Sequence, residues 1–127
     1  MLGPGEAEFK KGQWRSKVKN MKATLTVRDF GGIGIGRKSR KCEGTYSTNF
    51  GYFVAMPSKW FENKKRCNKV VEIKRNGRTV TAEVVDECES DSECPNKNSI
   101  GASVAVWGAL NIAGNIHAAV DVTWSDV

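Results

Sequence analysis

Residues 70–88 read Val70-Val71-Glu72-Ile73-Lys74-Arg75-Asn76-Gly77-Arg78-Thr79-Val80-Thr81-Ala82-Glu83-Val84-Val85-Asp86-Glu87-Cys88. Asn76 and Gly77 both suit the positive φ angles of a type I′ turn, and the runs on either side are rich in β-forming residues. Folding about that turn sets Ile73 opposite Val80 and Val71 opposite Ala82. Lys74 then faces Thr79 and Glu72 faces Thr81 on the other side. One face is apolar and the other polar, so turn and pattern agree on a single register.

Upstream, Ala23, Leu25 and Val27 alternate with Thr24, Thr26 and Arg28, the period of a half-buried strand. Glycines at 31, 32, 34 and 36 interrupt it. Tyr52 to Met56 reads as a buried strand ended by Pro57, after which Ser58 is expected to cap a helical turn over Lys59–Glu62. Downstream, Ser99 is expected to cap a helix with Ile100, Val104, Trp107 and Leu110 on its buried stripe. A closing strand follows, in which Ile116, Ala118, Val120, Val122 and Trp124 alternate with His117, Ala119, Asp121, Thr123 and Ser125. Four or more strands with one or two short helices describe a small barrel with helical insertions.

The chain has 127 residues and a formal charge of +6, room for one domain and little else. No apolar run approaches the roughly 18 residues of a membrane span. The opening residues lack a signal-peptide pattern, so if the protein is secreted, as expected, its signal is missing from this chain. Residues 1–21 hold five Lys/Arg and two Glu without periodicity and read as a flexible basic arm; residues 22–127 form the domain.

Cys42, Cys67, Cys88 and Cys94 occur beside a single histidine, His117. A Cys₂His₂ zinc site is thereby excluded, leaving two disulfides, a Cys₄ site or free thiols, with disulfides expected in a small, basic, loop-rich chain. Of the three possible pairings, Cys42–Cys67 with Cys88–Cys94 is preferred, because the second closes a short acidic loop. Arg37, Lys38, Arg40 and Lys41 precede Cys42, while Lys64, Lys65 and Arg66 precede Cys67. A bond between those cysteines would gather both runs into one patch of seven positive charges, the expected partner-binding surface. Acidic charge concentrates in Asp86, Glu87, Glu89, Asp91 and Glu93.

The series KATLTVRDF, CEGTY, VAMPSKWF, VVEIKRNGRTVTAEVVDEC, AVWGAL and VTWSD, in that order, resembles the kiwellin family of secreted plant proteins. NGRTVTAEVVDEC is its most specific piece. The resemblance implies a six-stranded double-psi β-barrel, shared with barwin, expansin N-terminal domains and RlpA-type proteins. It also implies a defence role in the apoplast, with binding of secreted fungal proteins such as chorismate mutase. The chain departs from the family in Gly32-Ile33-Gly34-Ile35-Gly36, where Asp and further Gly are usual, and in carrying a basic arm where long kiwellins have a cysteine-rich extension.

Related barrels in glycan-active enzymes place a catalytic aspartate at a position corresponding to Asp86, and Asp29 is the only mate visible in the sequence for a two-carboxyl mechanism. The favoured expectation is that Asp86 accepts backbone hydrogen bonds and organises its loop. The GIGIG stretch is followed by Arg37-Lys38-Ser39-Arg40-Lys41 rather than a helix, so it is no nucleotide loop. The five acids lack the EF-hand order, and no metal or cofactor is expected. Nucleic acid is disfavoured because few aromatics interleave the basic runs. The alternative to a protein partner is a cell-wall polysaccharide, with Tyr46, Phe50, Tyr52 and Trp60 offering rings for stacking. A monomer is expected.

Overall fold

The structure, a computed structural model, describes residues 17–32, 35–38, 41–43, 46–88, 94–112 and 118–127. Among the described residues nine strands form, in order β1 (Met21–Val27), β2 (Gly31–Gly32), β3 (Ile35–Lys38), β4 (Tyr46–Ser47), β5 (Phe53–Pro57), β6 (Val70–Arg75), β7 (Arg78–Cys88), β8 (Ser99–Ala102) and β9 (Val120–Asp126). Two short helices, α1 (Ser58–Phe61) and α2 (Val104–Ala109), follow β5 and β8. Six strands close into a barrel in the order β1-β8-β5-β7-β6-β9, and β2-β3-β4 form a small separate sheet. The pairs β1/β8 and β5/β7 are parallel, and the other four pairs of the barrel are antiparallel. This is a double-psi β-barrel, as expected.

The hairpin has the register read from its sequence: Ile73 pairs with Val80, Val71 with Ala82, Lys74 with Thr79 and Glu72 with Thr81. Asn76 and Gly77 take φ of 50° and 80°, as a type I′ turn requires. Val71, Ile73, Val80, Ala82 and Val84 point into the barrel, where they meet Leu25, Ile100 and Trp124. Of the expected arm, residues 1–16 lie outside the described residues. Val18 and Asn20 donate to Asp126 Oδ2 and Ser125 Oγ at the end of β9.

Two local expectations are corrected. Ser99 does not cap a helix: residues 99–102 are strand β8, fully buried between β1 and β5. A strand covered on both sides has no polar face, so its apolar run is indistinguishable from a helix stripe. The cap lies four residues on, where Ser103 Oγ accepts from Val106 N. Likewise α1 begins at Ser58 with Pro57 as its N-cap and no side-chain cap bond. The closing strand spans Val120–Asp126; residues 116 and 117 lie outside the described residues, and residues 118 and 119 precede the strand.

Candidate functional site

Both cysteine pairs are bonded as preferred. Cys42 and Cys67 stand with Cα atoms 5.3 Å apart, and Cys88 and Cys94 with theirs 5.9 Å apart. The short bond packs against Phe30, Ala55 and Val85 in a satellite core.

Asp86 lies beside this satellite core, whose Cys88 Sγ its partner Arg28 reaches at 3.8 Å. A register shift between Val54 and Ala55 pairs Ala55 with Asp86, and Val84, Val85 and Asp86 are all buried. Arg28, at the end of β1, donates from Nη2 to Asp86 Oδ2 at 2.9 Å, with the two side chains only 4% and 7% exposed. The other carboxylate oxygen accepts from Glu87 N at 2.8 Å. Asp29, the candidate mate, is held by bonds of its own. Its Oδ1 accepts from Gly31 N and Asn49 Nδ2, which fixes the turn after β1. Asp86 is therefore charge-paired and hydrogen-bonded in the manner of a structural carboxylate.

The expected basic patch is reshaped at its centre. After α1, Glu62, Asn63 and Lys64 all take left-handed backbone angles, and this tight coil turns Arg66 inward. Arg66 is fully buried, with its guanidinium over the Trp124 ring at 4.9 Å. Nε and Nη2 donate to the two oxygens of Asp126 at 3.0 and 2.8 Å, and Nη1 donates to the Trp60 carbonyl and to Glu62 Oε2. Burial by itself would lower the pKa of this guanidinium, but the hydrogen bonds and charges of Asp126, then Glu62, outweigh it and raise the value. Arg66 cannot belong to a docking surface. Its sequence neighbours Lys64 and Lys65 are exposed.

Lys41 is also partly engaged. Its ammonium lies 3.1 Å from Glu87 Oε1 and keeps about a third of its side chain in solvent. The Glu87 carboxyl is held below the ordinary carboxylate range, first by a hydrogen bond with Ser58 and then by Lys41. A depressed carboxylate stabilises the fold above its unfolded pKa, and that contribution is lost as the pH falls through the folded value. Basic and acidic runs thus touch, through Lys41 and Glu87. Arg37 and Lys38 lie in β3, paired with Ser47 and Tyr46 of β4; Arg40 and the acidic residues 89, 91 and 93 lie outside the described residues. Of the four aromatic candidates, Phe50 and Tyr52 are exposed, at 63% and 50%, whereas Trp60 is buried against Trp124. The ring of Tyr46 lies outside the described residues. Reading the sequence missed Arg66's partners, since Asp126 lies 60 positions away and nothing local marks the pair.

The family profile described as Kiwellin-1 matches residues 15–127, nearly the whole chain. This chain belongs to the kiwellin family. Among curated relatives, putative ripening-related protein 2 of Oryza sativa subsp. japonica is 40% identical over 83% of this chain and 59% of its own length. The kiwellin of Actinidia chinensis var. chinensis is 35% identical over 81% of this chain and 53% of its own. This kiwellin chain therefore spans between about half and three-fifths of those relatives. Among solved structures, the Streptomyces papain inhibitor superposes with a TM-score of 0.60 at 25% identity, covering 84% of this chain and 92% of the inhibitor.

Proposed function

We propose that this kiwellin is a secreted defence protein of the plant apoplast that binds and inhibits a secreted microbial protein, such as a fungal chorismate mutase. In this reading Lys64 and Lys65 form the centre of its recognition surface, flanked by the run from Arg37 to Lys41. The observation that carries it is the construction of the 62–67 coil. The Cys42–Cys67 bond, the buried Arg66 and three left-handed residues fix its backbone, and it presents two lysines outward. A loop already ordered loses little entropy on docking, so a small domain can reach useful affinity. Two further observations support the reading. Two disulfides suit an oxidising, extracellular setting. A similar barrel belongs to a protein named as an inhibitor of papain.

The direct test mixes the chain with purified secreted fungal chorismate mutase and, in parallel, with culture fluid of a fungal plant pathogen. A stoichiometric complex and loss of the bound protein's activity are expected. Lys64→Glu with Lys65→Glu should abolish both at physiological salt. A complex that survives the double reversal would move recognition elsewhere, with the acidic Cys88–Cys94 loop the next candidate.

In the same reading Asp86 has no catalytic task. Incubation with cellulose, chitin or peptidoglycan is expected to release no soluble sugar. Asp86→Ala should lower the melting temperature by several degrees, because it strands Arg28 in the satellite core. Sugar release that Asp86→Ala abolishes would replace the binding reading with an enzymatic one.

A further inference from the structure

At the tip of the β6–β7 hairpin the barrel wall carries a second basic surface, remote from the disulfide coil. Residues Lys22, Thr123, Lys74 and Thr79 are successive register partners across β1, β9, β6 and β7, so they form one row on the outer face. That row floors a cleft of about 800 Å³, bordered by Arg75 and Arg78. A second cleft, holding Lys97, shares Lys22, Ala23 and Asp121 with the first, so the two adjoin and are taken together as one groove. Among the described residues five cations line it against one carboxylate, that of Asp121.

The charges are little compensated within the fold. Among the described residues no carboxylate lies within ion-pair distance of Lys22, Arg78 or Lys97, and all three are exposed. Arg75 donates to the backbone carbonyl of Asp121 rather than to a carboxylate. Lys74 meets Glu72 at 3.6 Å, a solvent-exposed contact of small worth. Arg75 and Arg78 also face each other directly across the turn, an arrangement of like charges that disfavours the hairpin. A bound polyanion would relieve that repulsion.

We propose that this groove binds a linear polyuronate chain, through its carboxylates. The groove crosses four strands, about 14 Å at ordinary strand spacing, which is long enough for several sugar units and too open for a single ion. Its floor offers the hydroxyls of Thr79 and Thr123 and the amides of Asn76 and Asn98, groups that suit sugar hydroxyls lying between the charges. Among the described residues no aromatic side chain lines it, which removes the stacking platform that a single-stranded nucleic acid or a neutral glycan would use. It likewise has no deep apolar pocket to anchor a peptide side chain. The site is independent of the protein-binding surface proposed above, since β6 separates the hairpin tip from the Lys69 end by about 17 Å.

Affinity electrophoresis and calorimetry with polygalacturonate test it. The intact chain should be retained, and fully methyl-esterified polygalacturonate, which has the same backbone without charge, should not bind. Lys22→Gln with Arg78→Gln should weaken binding about tenfold, as expected for losing two ionic contacts. The control Lys59→Gln with Lys69→Gln removes the same charge at exposed positions outside the groove and should change it less than twofold. Equal loss in both variants would reduce the effect to net charge and overturn the site. Binding of the methyl ester, or tighter binding of single-stranded DNA or poly-glutamate than of polygalacturonate, would overturn the assignment of ligand.

Discussion

Arg66→Met should lower the free energy of unfolding by about 3–5 kcal/mol, enough to shift the melting temperature by about 10–20 °C. The substitution keeps an apolar chain over Trp124 but leaves Asp126 buried at 4% side-chain exposure without its guanidinium. The Trp60 carbonyl loses its side-chain donor as well. An uncompensated buried charge is what makes the loss large; replacing both partners, as in Arg66→Met with Asp126→Leu, should recover much of it. Urea unfolding of the three proteins measures this directly. A single variant within 1 kcal/mol of the parent would show that the ion pair is not the anchor of the coil. The same variant should also weaken partner binding without removing any exposed charge, because Arg66 holds the backbone that presents Lys64 and Lys65.

The second large effect concerns the disulfides. The Cys42–Cys67 bond joins residues 25 apart and the Cys88–Cys94 bond residues 6 apart. In the chain-entropy description their removal costs about 3–4 and about 2 kcal/mol. Cys42→Ser with Cys67→Ser should therefore be the less stable of the two double variants, by about 1–2 kcal/mol. Its two new serines meet surroundings close to those of the other pair, since Cys42, Cys88 and Cys94 are buried and Cys67 is partly buried, so loop length dominates the comparison. Equal losses in the two variants, read from urea midpoints under identical conditions, would contradict that order.

Arg66 and the cysteines, on which those effects turn, differ in how legible they were. Cysteine count and the short acidic loop pointed to the pairing, because a covalent bond needs only two partners and few arrangements exist. The hairpin was legible because Asn76-Gly77 and the alternation around it are local and mutually consistent. Arg66 was not. In sequence it is the third of three cations before a cysteine, and only the return of β9 past α1 supplies Asp126. Asp86 posed the same difficulty at shorter range. Arg28 and Asp29 are adjacent, and which of them turns inward depends on where the strand parity breaks after Val27. Ser99 and Ser103 are four residues apart, both followed by apolar residues, so the pattern could not select the true cap. The groove at the hairpin tip assembles from β1, β6, β7 and β9, and no single run of sequence contains it.

In the proposed reading, recognition runs through the lysines of the disulfide-fixed coil. Association kinetics test it most directly, with the chain immobilised and a secreted fungal protein that it captures flowed over it at low and physiological salt. Lys64→Glu with Lys65→Glu should slow association about tenfold or more at low salt while changing dissociation much less, and added salt should slow the parent chain toward the variant. An association rate for the variant equal to that of the parent at low salt would show that recognition does not run through Lys64 and Lys65.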